Sequence, residues 1–143
     1  ITLSEGDYVV GFAAEREGVK LLTVSDTGYG RKSEFSDYRV QSRGGKGLLN
    51  YRVEKFGKVA NIAAVTEEND VVMISTDGII IRMPVNQIST FQRPAKGVKV
   101  MRVNEGEKLA TISVVDRFEE EDVDNENTDD TEIASDDQEN TEK

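Results

Sequence analysis

The chain has 143 residues, 36% hydrophobic and 32% charged, with no Cys, His or Trp and a formal net charge of −10. The missing cysteines and histidines exclude disulfide scaffolds, thiol catalysis, Cys/His zinc sites and every form of imidazole acid–base chemistry, the Ser-His-Asp triad included. The apolar runs, such as Val71-Val72-Met73-Ile74 and Ile79-Ile80-Ile81, fall far short of the roughly 18 to 20 residues that span a bilayer, so a soluble chain with no membrane partner is expected.

In chain order, the opening residues begin with Ile1 and no charged-then-apolar leader, which reads as a fragment of a longer protein. Short Val- and Ile-rich runs bounded by turn formers predict strands over 19–24, 71–75, 79–83, 98–103 and 109–115. Ser25-Asp26-Thr27-Gly28 and Ser75-Thr76-Asp77-Gly78 have the composition of hairpin turns with glycine at a positive-φ position, and Asn104-Glu105-Gly106 forms a similar loop. Single helical turns are expected around 34–38 and 84–88, and nowhere does an i, i+3, i+4, i+7 pattern last three turns. From Phe118 onward one Lys faces 13 Asp and Glu among few apolar residues, so 118–143 is expected to be a disordered acidic tail. The charge is therefore segregated: the body, 1–117, carries +2 and the tail −12.

Laid on itself at an offset of 50, the sequence aligns 22–65 with 72–115 without a gap and with eleven identities in 44 positions. Among them are Ser25/Ser75, Gly28/Gly78, Arg43/Arg93, Lys46/Lys96, Gly47/Gly97 and Arg52/Arg102. Leu3, Val9 and Phe12 fall in register with the same series, so 1–15 reads as a partial further copy. A period of 40 to 50 residues built from short strands is that of a propeller blade. The expected fold is all-β: a propeller-like repeat of four-stranded blades, about two blades plus a strand of a third.

Positive charge recurs once per repeat. Residues 28–58 carry a balance of +5 and 78–108 a balance of +4, whereas 59–77 holds four acids and no base. Side by side, the blades would align these stretches into a stripe suited to a polyanion. The residues expected to contact it are Arg31, Lys32, Arg39, Arg43, Lys46, Arg52, Arg82, Arg93, Lys96, Lys99 and Arg102. Gly47 and Gly97 read as backbone positions that only glycine fits, and Gly44 and Gly45 as a loop whose N–H groups could approach a phosphate. No Walker A loop, dinucleotide fingerprint or EF-hand is present, and Asp122, Asp124 and Glu126 lack the glycine that would follow in a calcium loop. No catalytic residue, metal site or cofactor is expected. Tyr8, Tyr29, Tyr38 and Tyr51 are read as packing residues.

Gly28-Tyr29-Gly30-Arg31-Lys32, Tyr38-Arg39, Ile74-Ser75-Thr76-Asp77-Gly78 with Ile81-Arg82, and Arg93 to Gly97 together resemble the C-terminal domain of the A subunit of bacterial DNA gyrase. Gln41-Ser42-Arg43-Gly44-Gly45-Lys46-Gly47 is similar to that family's box, Gln-Arg-Arg-Gly-Gly-Lys-Gly, departing from it at Ser42, and reads as a blade-repeat echo of the box. The resemblance covers the body and implies a β-pinwheel, with strands exchanged between neighbouring blades, of which this chain supplies the last blades. It implies a non-catalytic domain that wraps double-stranded DNA around a basic rim to direct ATP-dependent negative supercoiling. Its partners would be the remainder of the gyrase A polypeptide and, through it, the gyrase B polypeptide, in the cytoplasm of a bacterium. The alternatives are the related domain of topoisomerase IV and a propeller-type protein-interaction module.

Overall fold

The computed structural model describes residues 1–117. The expected disordered acidic tail, 118–143, lies outside the described residues.

Among the described residues, seven strands form two antiparallel sheets. They are β1 (Lys20–Ser25), β2 (Tyr29–Ser33), β3 (Val59–Val65), β4 (Asn69–Ser75), β5 (Ile80–Pro84), β6 (Val98–Lys99) and β7 (Leu109–Asp116), with one helical turn, α1 (Val53–Phe56). The first sheet has the order β3-β1-β2-β6 and the second β5-β4-β7. Single 3₁₀ turns at Phe35–Asp37 and Val85–Gln87 fall where helical turns are expected.

The repeat shows in the hydrogen bonds. In each hairpin turn the glycine has a positive φ, 80° at Gly28 and 82° at Gly78, and donates its N–H to the carbonyl of Ser25 or Ser75 at 3.0 Å. The Ser25 and Ser75 hydroxyls accept from the N–H groups of Tyr29 and Ile79 at 3.2 and 3.1 Å. Both central strands carry a register shift at the same place, between Val24 and Ser25 and between Ile74 and Ser75. The identities Ser25/Ser75 and Gly28/Gly78 thus encode one turn used twice.

β6 departs from a simple blade-by-blade reading. By sequence it belongs to the second repeat, yet it pairs with β2 of the first, Tyr29 opposite Lys99 and Gly30 opposite Val98. The chain arrives at this edge through a bridge between Lys32 and Thr90. The expected strand over 98–103 stops after two residues because the chain then turns inward. The N–H groups of Val100 and Met101 both donate to the Gly28 carbonyl, at 2.9 and 3.1 Å, and their side chains are buried. Gly28 and Gly97 permit this joint: a Cβ on Gly28 would collide with the Met101 carbonyl, and one on Gly97 with the Gly30 carbonyl. The first sheet is therefore a four-stranded blade completed by its neighbour. The second has three strands, and among the described residues none lies beyond β5.

A single apolar cluster spans both sheets, with Leu22 and Val24 of β1, Val71 and Met73 of β4, Val85, Ile88, Val100, Met101, Leu109 and Ile112 at its centre. The blades are further tied by the Leu109 N–H, which donates to the Asp26 carbonyl at 2.8 Å. The partial copy at 1–15 forms no strand. In both full copies its equivalent, β3 or β7, pairs with a hairpin some forty positions earlier, and among the described residues no hairpin pairs with 1–15. The segment rests against β3 near Gly11 and Ile62 and bonds at Thr2 to the Gly45 carbonyl, leaving Tyr8, Val9 and Phe12 exposed.

Candidate nucleic-acid interface

The strand exchange sets the cations of the second repeat on the face of the first. Lys99, on β6, donates to the Thr27 carbonyl at 3.1 Å and stands 4.3 Å from the centre of the Tyr29 ring. Lys96, in the loop before it, lies 3.7 Å from the same ring and 5.8 Å from that of Phe56. The two ammonium groups hold the Tyr29 phenol below its ordinary value of 10.0, the Lys96 hydrogen bond first and the charge of Lys99 next. Phe56 and its α1 neighbours Arg52 and Lys55 line one side of a shallow groove of about 680 Å³, and Phe91, Gln92, Arg93 and Pro94 line the other. Arg93 leaves that groove to stack 4.9 Å from the Tyr38 ring and donates to the Leu49 carbonyl at 3.0 Å. Lys99, Lys96, Lys55, Arg52 and Arg93 therefore form one band, linked through the rings of Tyr29, Phe56, Phe91 and Tyr38, with both repeats contributing. None of the five has an ion-pair partner among the described residues.

The other expected contact residues distribute differently. Arg39, Arg43, Lys46 and Arg102 are exposed. In the box-like loop, Gln41, Arg43, Gly44, Gly45 and Gly47 line a small cavity of about 200 Å³ with Ser42 and Ile1, and Lys46 is exposed beside it. Arg82 is about half exposed, but its guanidinium is committed to Asp70 at 2.7 Å, in a pair shared with Arg117 at 2.8 Å. The Arg117 hydrogen bond, then that of Arg82, holds the Asp70 carboxyl below its ordinary range.

Two of the expected surface cations are core residues. Arg31 has 0% of its surface exposed; its guanidinium donates to the Ala95 carbonyl at 3.0 Å, to the Asn50 carbonyl and to Asn50 Oδ1 at 2.8 Å. Lys32 is buried and donates to both Glu67 carboxylate oxygens, at 2.8 and 2.6 Å. The reason is the position of β2. Flanked by β1 on one side and the exchanged β6 and Thr90 segment on the other, it has no free edge, and its side chains are enclosed on both faces. The cationic track thus runs through the loops and the exchanged strand and leaves out Arg31 and Lys32.

Phe56 and Phe91 escaped the sequence reading, and Lys55 entered it only through the charge balance of 28–58 and not among the expected contacts. Lys55 aligns with Glu105 and Phe91 with Gln41, so neither recurs. Only the adjacency Lys55-Phe56-Gly57, a cation and a ring before a chain reversal, could have signalled them.

The family described as DNA gyrase C-terminal domain, beta-propeller, matches residues 20–66 and 69–116, which take in both sheets. The chain belongs to this gyrase domain family. It is similar to the DNA gyrase A polypeptide of Staphylococcus aureus (strain MRSA252), at 39% identity over 140 residues, 96% of this chain and 15% of that one. It is also similar to the DNA gyrase A polypeptide of Staphylococcus epidermidis, at 38% identity over 118 residues, 80% of this chain and 13% of that one. The chain spans about 15% of the length of these curated relatives. A solved DNA gyrase A C-terminal domain superposes with a TM-score of 0.62 at 27% identity, covering 66% of this chain and 33% of that one. The C-terminal domain of DNA topoisomerase IV superposes with a TM-score of 0.73 at 17% identity, covering 80% of this chain and 36% of that one, and so shares the fold. The family's beta-propeller description agrees with the all-β architecture read above.

Proposed function

We propose that this gyrase-family domain binds double-stranded DNA on the band formed by Lys99, Lys96, Lys55, Arg52 and Arg93 and bends it across the two blades. The observation that carries this reading is the unpaired, contiguous arrangement of these five cations around aromatic rings, drawn from both repeats. Lys and Arg on loops reach phosphates, which position a duplex without reading its sequence, so sequence preference is slight. Bending a site of 20 to 30 base pairs costs of order 1 to 6 kcal/mol, an energy that phosphate contacts spread along a curved track offset. In the whole enzyme, the bent duplex is delivered to the DNA-cleaving part of gyrase, assembled with the gyrase B polypeptide in the bacterial cytoplasm, so that ATP-driven strand passage runs toward negative supercoils.

The test is binding of a fluorescent duplex by the chain over a salt series. Five neutralised phosphates give a slope of log K against log salt of about −4 to −5. A slope near zero removes the DNA reading and favours a protein-interaction module. End-to-end energy transfer across the duplex then reports bending directly.

A further inference from the structure

The groove between α1 and the segment 90–95 differs from the rest of the cationic band because two phenyl rings line it. Phe56 and Phe91 both face this space. Neither belongs to the apolar cluster that joins the sheets, and Phe91 is 37% exposed. Both rings stand on fixed supports within the completed first blade. The Phe91 N–H donates to the Lys32 carbonyl of β2 at 2.9 Å, and the Ala95 N–H closes the following turn onto the Gln92 carbonyl at 3.2 Å. Phe56 meets Tyr51 edge-on, with ring centres 5.8 Å apart, and Tyr51 is itself buried, its hydroxyl donating to the Lys96 carbonyl at 2.9 Å. Rings held in this way lose little freedom when a ligand arrives.

An intact duplex makes poor use of such rings, since its base faces are stacked inside and its surface offers phosphates and base edges. An unpaired strand offers, at every nucleotide, a phosphate and an apolar face that stacks on aromatic side chains. The lining matches both. Arg52, Lys55 and Arg93 supply three cations without an ion-pair partner among the described residues, and no acid lines the groove. The exposed Gln92 amide adds a donor and an acceptor for a base edge. The space of about 680 Å³ lies within the range of small-molecule sites. An apolar protein segment would match the rings but leave the three charges unanswered.

We propose that this groove is a site for single-stranded DNA, in which an unpaired base stacks on Phe91 and Phe56 while Arg52, Lys55 and Arg93 hold the flanking phosphates. The inference rests on the reading of the band as a DNA-binding surface and gives that band a second ligand, DNA with unpaired bases, such as a duplex unstacked at a sharply bent step.

The test compares binding of the chain to a fluorescent thymidine-only oligonucleotide and to an abasic deoxyribose-phosphate oligomer of equal length and charge. The oligonucleotide with bases should bind roughly tenfold tighter. Both affinities should fall as salt rises while their ratio holds, because stacking releases no counterions. Phe91→Ala should bring the ratio close to one at the thermal midpoint of the parent. The chain has no tryptophan, so Phe91→Trp installs a single one, whose emission the base-bearing oligonucleotide should quench and the abasic oligomer should not. Equal affinities of the parent for the two oligomers would overturn the proposal and leave the groove to an acidic protein segment; this comparison needs no variant to fold. A ratio that survives Phe91→Ala, or tryptophan emission that neither oligomer changes, would overturn it too. If equal affinities accompany a duplex salt slope of about −4 to −5, the base site alone falls, whereas a duplex slope near zero removes the DNA reading of the whole band.

Discussion

Asn50 holds Arg31 at two points: its backbone carbonyl and its side-chain oxygen both accept from Arg31 Nη2. The same Asn50 side chain accepts from the Tyr38 hydroxyl and donates to Thr23 Oγ1 at 3.1 Å, and Tyr38 in turn bonds Ser33 at 3.1 Å. Fifty residues on, these five positions are Met73, Ile81, Met83, Ile88 and Val100, all in or against the apolar cluster. One blade is thus centred on a buried polar network and the other on hydrocarbon, with the same backbone around both.

Replacing Arg31 alone, as Arg31→Ile, strands the oxygens of Asn50 and Ala95 in the interior. It should destabilise the domain by about 3 kcal/mol. Installing the second blade's set together, Thr23→Met, Arg31→Ile, Ser33→Met, Tyr38→Ile and Asn50→Val, should recover part of that loss, because the side-chain network is removed as a unit and only the main-chain carbonyls at 50 and 95 lose their donor. Urea midpoints of the single and fivefold variants check both statements.

Lys96→Ala and Lys99→Ala should each weaken duplex binding and reduce the magnitude of the salt slope by about 0.9, with thermal stability close to that of the parent. Lys32→Met should do the reverse, lowering the unfolding midpoint and leaving the slope of the folded protein unchanged. Equal effects of Lys32 and Lys96 on the slope would contradict the division between core and track.

The Lys32 hydrogen bond and charge hold the Glu67 carboxyl below its ordinary value of 4.5. A depressed folded value means that the contribution is complete above the unfolded value and is lost as pH falls through the folded one. Stability should therefore decline below pH 4.5, with Asp70 and Asp77, both also held low, extending the decline further into acid. Glu67→Gln should flatten the upper part of that acid limb in denaturation curves taken at successive pH values.

The two hairpin glycines have the same φ but different surroundings. Gly78→Ala adds only the left-handed backbone cost, roughly 1 to 2 kcal/mol. Gly28→Ala adds the same cost and drives a methyl group into the Met101 carbonyl, so it should unfold the joint as well. Comparing the two variants by calorimetry isolates the contribution of the interblade contact.

Tyr29 should ionise ahead of Tyr51 in an alkaline absorbance titration, since the two lysines pull Tyr29 down and burial pushes Tyr51 up. In Lys96→Ala the early transition should move back toward 10.0.

β1, β4, β5, β7 and the hairpin turns were legible because their signals are local, β-branched runs and a serine and glycine at fixed spacing that build one hairpin turn twice, whereas β2, Tyr29–Ser33, has no such run and neither it nor β3, Val59–Val65, was read as a strand. The period itself showed that one unit is reused. The address of β6 came only with the family resemblance, which implies strands exchanged between neighbouring blades, since pairing between Val98 and Gly30 depends on tertiary placement and leaves no periodicity. The misplacing of Arg31 and Lys32 has the same origin. A charge at a register position reads as surface, and only the flanking of β2 on both edges makes it interior. Phe56 and Phe91 were invisible for the converse reason, since their place beside the cations is a matter of proximity across the groove and neither recurs in the repeat.

Because β6 is encoded in one repeat and hydrogen-bonded in the other, the unit of sequence and the unit of architecture are out of phase. A gene fragment trimmed at the 50-residue boundary would encode a hairpin stripped of its last strand and a loose strand with nowhere to dock. Recombination that shuffles such modules, natural or in the laboratory, keeps a sound product only when its breakpoints fall between the docked partners, well inside what the alignment marks as a single copy.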